Sequence, residues 1–196
     1  MKKKLPTWRL FIRITALGIV TGIAITGLSL KEIGTNRWNQ NGDWLYQLSV
    51  GDESSSIFQK AVIAAGGLFA LSRSESMYFI ARPQQMSTHD MKGSCHYRIS
   101  GESPDTRWWS ITVYGHDRML IPNPEKRYSF SDRTVSFNPD GTFTIDISPT
   151  ETGENWIPTS GDRRINVLLR VYNPAPSLVQ GAGNVALPRV EEVSCS

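Results

Sequence analysis

Residues 107–114 read RWWSITVY and residues 165–172 read INVLLRVY. In the first stretch Trp109, Ile111 and Val113 alternate with Ser110, Thr112 and Tyr114. In the second, Ile165, Val167, Leu169 and Val171 alternate with Asn166, Leu168, Arg170 and Tyr172. A period of two puts successive side chains on opposite faces of a half-buried strand. The same alternation recurs in Met77, Phe79 and Ala81, in Cys95, Tyr97 and Ile99, and in Phe143, Ile145 and Ile147. Asn138-Pro139-Asp140-Gly141, lying between 135–137 and 142–147, predicts a tight hairpin turn. Strands separated by turn residues, with no helical pattern between them, indicate a mainly β protein, an antiparallel sandwich or barrel.

Upstream of these strands the period changes. Ile57, Phe58, Ala61, Val62, Ala65, Leu68 and Phe69 fall at helical spacing, behind the capping residues Asp52 and Ser54, Ser55 and Ser56. Gly66-Gly67 weakens this one short helix by about 1 kcal/mol per glycine, so an early end is expected. Residues 31–56 read as a juxtamembrane linker that partly packs down through Trp38, Trp44, Leu45 and Tyr46. The last stretch, 177–196, is rich in Gly, Ala and Pro and reads as a loose tail.

The N-terminus is of another kind. Residues 14–30, ITALGIVTGIAITGLSL, form a run of 17 without a charge. With residues 10–13 the segment reaches about 31 Å at 1.5 Å per residue, matching a hydrocarbon core of about 30 Å. Lys2, Lys3, Lys4, Arg9 and Arg13 give residues 1–30 a charge of +5 with no acid. The positive-inside rule then holds residues 1–9 in the cytoplasm and sends Lys31 onward across the membrane. A cleaved signal peptide is the competing reading, but its apolar region is shorter and ends in small residues of the A-x-A kind. The expected organisation is a basic cytoplasmic stretch (1–9), a transmembrane signal-anchor (10–30), the linker (31–56) and an extracytoplasmic β-domain (57–196). Gly18 and Gly22 have the GxxxG spacing that lets two spanning helices approach closely as a homodimer; chance spacing, in a class of helix where glycine is common, is the competing reading.

Residues 31–196 carry 16 basic and 18 acidic side chains, so the body is near neutral. It lacks the basic stripe of a nucleic-acid partner. There is no GxSxG elbow, HExxH, P-loop, GxGxxG or CxxC pair, and no cofactor is expected. His89, His96 and His116 are too scattered for a ligand motif. His96 beside Cys95 suggests a mixed metal site. Two cysteines beyond a membrane, however, point to a Cys95–Cys195 disulfide and no metal. An intermolecular bridge through Cys195 is the alternative pairing.

Candidate ligand-binding residues are Trp108, Trp109, Tyr114, Asp117, Arg127, Asn155 and Trp156. One of the two adjacent tryptophans must face outward, where with Tyr114 it can stack on a sugar or a peptide. Asp117, Arg127, Asp132 and Arg133 fall in a turn-rich region, and Glu154-Asn155-Trp156 precedes Pro158. Two functions follow from these residues. One is an envelope module that binds a partner protein or a glycan. The other is a small-molecule hydrolase with a cleft lined by Arg107, Asp117, Arg127 and Asn155.

The stretches GGLFALSRSESMYFIAR (66–82), RWWSITVY (107–114), RYSF (127–130), NPDGTFTIDIS (138–148), NWIPT (155–159), LLRVYNP (168–174) and LPRV (187–190) together resemble the bacterial family called domain of unknown function 1214. The match covers most of residues 57–195 and looks like the short, membrane-anchored form. It implies a β-sandwich of jelly-roll type and, from the bacterial source, a single-pass inner-membrane protein with its C-terminal domain in the periplasm. It supplies no catalytic set.

Overall fold

The computed structural model describes residues 7–35, 38–48, 50–52, 55–65, 71–83 and 90–195. His89, Gly66-Gly67, Leu68 and Phe69 lie outside the described residues. The chain divides into two compact units, one of residues 1–37 and 55–69, the other of residues 38–54 and 70–196.

The first unit holds two helices, α1 (Thr7–Thr35) and α2 (Ile57–Ala65). Within α1 the 23 residues Thr7–Ser29 are long and apolar enough to cross a membrane. Phe11, Leu17 and Ile23 are exposed along it, and Gly18 and Gly22 face open space. The start of α2 is a reciprocal capping box. The Gln59 N–H donates to Ser56 Oγ at 3.3 Å, while the Ser56 N–H donates to Gln59 Oε1 at 3.1 Å.

The second unit is an antiparallel β-sandwich. In chain order its strands are β1 (Asn39–Asn41), β2 (Trp44–Tyr46), β3 (Ser76–Ala81), β4 (Cys95–Gly101), β5 (Thr106–Gly115), β6 (Ser129–Ser131), β7 (Phe143–Ser148), β8 (Trp156–Pro158), β9 (Ile165–Pro174) and β10 (Arg189–Cys195), with a short α3 (Pro176–Gly181) before the last. One sheet has the order β1-β2-β3-β9-β5-β6 and the other β10-β4-β7-β8. Every neighbouring pair is antiparallel except β7 and β8. The chain passes repeatedly from one sheet to the other, as in a jelly roll. The five alternating stretches form β3, β4, β5, β7 and β9, and their apolar sets are the core. Trp109, Ile111 and Val113 pair with Val171, Leu169 and Val167, all buried. Tyr97, Ile99, Phe143, Ile145 and Ile147 of the other sheet are fully buried with them. The Trp109 ring stacks on Phe143 at 4.6 Å between centroids, joining the sheets. Each such side chain contributes about 1.5–3 kcal/mol through burial.

Three regions depart from the sequence reading. The tail is not loose. Leu178, Ala182 and Val190 are buried, and β10 pairs along β4 with a bulge between Glu192 and Ser194. Only Val190 of β10 is buried, so the strand shows no apolar alternation. Cys95 and Cys195 are register partners on this pair and form an intramolecular disulfide. Second, the stretch read as a linker contains the β1–β2 hairpin, turning at Gly42 with φ 55°. It is tied down by Trp44 Nε1–H donating to the Pro188 carbonyl at 2.6 Å and by Asn41 Nδ2–H donating to the Ala182 and Val185 carbonyls at 2.8 Å. Third, the 138–141 turn forms, with Gly141 at φ 83°, but its upstream arm is a single bridge from Phe137 to Phe143.

Candidate functional site

The alternation that buries Trp109, Ile111 and Val113 turns Trp108, Ser110, Thr112 and Tyr114 to the opposite face of β5. On β9 the same face carries Arg170 opposite Ser110 and Tyr172 opposite Trp108. At the sheet edge β6 sets Ser131 beside Ser110 and Ser129 beside Thr112. These residues, together with Arg127, Phe130, Thr134, Ser136, Glu154 and Asn155, line a cleft of about 640 Å³.

Several side chains in the cleft are held by the surrounding fold. The Trp108 and Tyr172 rings meet at 5.1 Å with a 58° tilt. Arg170 lies 5.4 Å over the Tyr114 ring, and its Nη2–H donates to the Tyr114 hydroxyl at 2.8 Å. The backbone of Arg127 is fixed by Asn123, whose Oδ1 accepts from the Arg127 N–H at 3.1 Å and whose Nδ2–H donates to the Arg127 carbonyl at 2.9 Å. The Arg127 guanidinium is 5.9 Å from the Phe130 ring and donates through Nη1 to the Trp156 carbonyl at 3.2 Å. Asn155 is occupied on both sides of its amide. It accepts from the Ser136 N–H at 2.8 Å and donates to the Ser136 and Thr144 carbonyls at 2.7 and 3.0 Å. Ser131 and Thr134 bond each other at 3.2 Å. The hydroxyls of Ser110, Thr112, Ser129 and Ser136 have no hydrogen-bond partner among the described residues.

Of the residues singled out from sequence, Trp108, Arg127 and Asn155 come together here. Tyr114 stands behind them as the support of Arg170. Trp109 is core, its Nε1–H donating to Ser103 Oγ at 3.1 Å. Trp156 is buried, with its Nε1–H on the Ser148 carbonyl at 3.0 Å. Arg107 is exposed outside the cleft. Asp117 closes a turn, accepting from the Met119 N–H at 3.0 Å, and folds over Gly115, where a Cβ would meet its Oδ1 at 2.6 Å. The proposed Arg107–Asp117–Arg127–Asn155 cleft is therefore not assembled as a set of four. Glu154, singled out with Asn155 and Trp156, also lines the cleft, whereas sequence reasoning missed Ser110, Thr112, Ser129, Ser131, Thr134, Ser136, Arg170 and Tyr172. The polar half of the β5 and β9 alternation was the available sign for four of them.

A second polar cluster lies on the four-stranded sheet. Asp146 Oδ1 is 2.9 Å from both His96 Nε2 and Arg98 Nε, and its Oδ2 is 3.2 Å from Arg98 Nη2. Burial pushes the Asp146 carboxyl upward, but the hydrogen bonds from Arg98 and His96 outweigh it and hold the group below its ordinary range. An ionised carboxylate only accepts, so His96 Nε2 carries the hydrogen. Cys95, Cys195 and Glu192 place possible metal-donor atoms within 4.8 Å of one another, but both sulfurs are committed to the disulfide. His116 is exposed.

An apolar spanning-length helix and a sandwich with an aromatic, hydroxyl- and arginine-lined cleft define the class of protein. A family described as "Protein of unknown function (DUF1214)" matches residues 75–176, more than half of the chain, and the chain belongs to it. The crystal structure of the VPA0106 protein from Vibrio parahaemolyticus is similar in fold, with 24% identity and a TM-score of 0.58 over 72% of this chain and 36% of that one. This chain thus spans about a third of that protein's length. A protein from Burkholderia cenocepacia matches at 18% identity and a TM-score of 0.41, over 62% of this chain and 30% of that one. No curated protein matches the chain.

Proposed function

We propose that this protein is a membrane-tethered envelope module whose sandwich binds a saccharide in the cleft beside Trp108. The observation that carries the reading is the convergence of an aromatic pair, Trp108 and Tyr172, with hydroxyls that no group among the described residues satisfies. Polar groups that converge beside aromatic rings in a concave site suit a polyhydroxylated ligand, which supplies both hydrogen bonds and a flat C–H face. The tether is α1, a signal-anchor in a bacterial inner membrane. The charge asymmetry around it supports a periplasmic sandwich, and Gly18 and Gly22 support pairing of two tethers.

The hydrolase alternative has less behind it. Among the described residues lining the cleft Glu154 is the one carboxylate, and none is a His or Cys. A pair of carboxylates or a nucleophile with its base is what glycoside or ester hydrolysis requires. The test is titration of the full chain in detergent micelles with soluble envelope glycan fractions, read by tryptophan fluorescence. Saturable binding weakened at least about tenfold by Trp108→Ala, as loss of a stacked anchor implies, supports the proposal. Absence of saturable binding to every fraction overturns it.

A further inference from the structure

The two arginines of the cleft carry the argument further. Three arginines elsewhere in the sandwich are paired with carboxylates. Arg98 pairs with Asp146, Arg164 with Asp90 and Arg189 with Glu191. Arg127 and Arg170 are different. Among the described residues their side chains meet only neutral groups: the Trp156 carbonyl and Phe130 ring for Arg127, the Tyr114 hydroxyl and ring for Arg170. Each guanidinium is thus oriented by one hydrogen bond and one aromatic ring, while its charge has no counter-ion among the described residues. Of the five N–H donors on each, one makes a side-chain hydrogen bond, leaving the rest of the fork for another acceptor. Two acidic residues lie nearby. Glu154 lines the cleft, is exposed, and forms no ion pair with either arginine. Asp132 sits in the turn between Ser131 and Thr134 but does not line the cleft, and its Oδ1 is buried.

We infer that the cleft selects an acidic saccharide, one bearing a carboxylate, with the charge taken by Arg127 and Arg170 and the ring by Trp108 and Tyr172. This deepens the proposed saccharide-binding reading and rests on it. The planar guanidinium fork matches carboxylate geometry, and its weak hydration lowers the cost of removing it from water. Pre-orientation by Tyr114 and the Trp156 carbonyl reduces the side-chain entropy lost on binding. The free hydroxyls of Ser110, Thr112 and Ser129 then meet the sugar hydroxyls, since a buried polar group left unpaired would weaken the complex.

The experiment compares matched ligands on the full chain in detergent micelles. The probes are short oligomers of glucuronate and galacturonate against oligomers of glucose and galactose, which differ from the acids only in the group at the carboxyl carbon. Calorimetry should show an acid binding at least about tenfold tighter than its neutral partner, the step expected of a charged hydrogen bond. Arg170→Gln should abolish the preference while thermal melting confirms that the sandwich is folded. Glu154→Gln, which removes a like charge from the cleft wall, should tighten the acid more than its neutral partner. Rising salt should weaken the acid alone. Equal affinity for acid and neutral partners overturns the charge selectivity and leaves saccharide binding standing. An acid preference that survives both Arg127→Gln and Arg170→Gln overturns the assignment of residues. Failure of every oligomer to bind overturns both readings.

Discussion

The outward faces of the two sheets are built by the same alternation yet use their polar side chains in opposite ways. On the four-stranded sheet His96, Arg98 and Asp146 satisfy one another on the outward face, and Cys95, on the core face of the same strand, is joined covalently to Cys195. On the six-stranded sheet Ser110, Thr112, Ser129, Arg127 and Arg170 are left with unfilled hydrogen-bonding capacity around a concavity. A closed polar cluster holds strands together. An open one is available to a ligand. The contrast is therefore between a face that supplies stability and a face that supplies binding, and substitutions should separate the two.

The largest stability effect is expected at the disulfide. Replacing both Cys95 and Cys195 by Ala should cost about 3 kcal/mol, because the bridge closes a loop with a sequence separation of 100. Urea unfolding of wild type and double variant measures it, and saccharide affinity at the distant cleft should not change.

Next comes Asp146→Ala, with an expected loss of about 2–3 kcal/mol, since it leaves His96 and Arg98 without their shared acceptor. Arg98 is about half exposed, which keeps the figure below that of a fully buried pair. The acid dependence has a definite sign. Because the folded carboxyl titrates below its ordinary value of 3.8, its stabilisation is complete above that pH and disappears as pH falls through the lower folded value. Denaturant melts of wild type and Asp146→Asn should converge there, and a constant gap down to pH 2 would disprove the account.

Asn155 is the exception on the binding face, because its amide is fully engaged with Ser136 and Thr144. Asn155→Ala should cost about 1–2 kcal/mol by leaving backbone groups of the cleft wall unpaired. A stability cost below the error of the melt would show the wall to be held by something else.

The smallest stability effect belongs to Thr112→Val. Its hydroxyl has no partner among the described residues, so the near-isosteric change should alter stability by less than about 0.5 kcal/mol. Saccharide affinity should nevertheless fall. A loss of stability with unchanged affinity would place Thr112 on the supporting side of the contrast.

Periodicity made the core strands readable. Five apolar alternations formed β3, β4, β5, β7 and β9, because half-buried strands impose a period of two on composition. The short strands β1, β2, β6 and β8 span three residues each, too few for a period to register. β10 was hidden because only Val190 faces inward, and α3 because a Pro-Ser start and a Gly end read as loop. The site was legible only in part. Trp108, Arg127 and Asn155 were found as types, but the grouping with Arg107 and Asp117 rested on proximity along the chain. Strand pairing instead brought in Arg170 and Tyr172, some sixty residues away, and left Asp117 capping its own turn.

By itself the sequence determined the apolar N-terminal helix, the half-buried strands and the pair of cysteines available for one bridge. Those follow from local composition and from periods that a strand or a helix enforces residue by residue. Only the tertiary structure decided which outward polar residues would be neutralised and which left open. That outcome depends on register: Asp146 falls opposite Arg98, whereas Arg170 falls opposite Ser110, and a carboxylate or a hydroxyl across the strand decides whether an arginine is already paired.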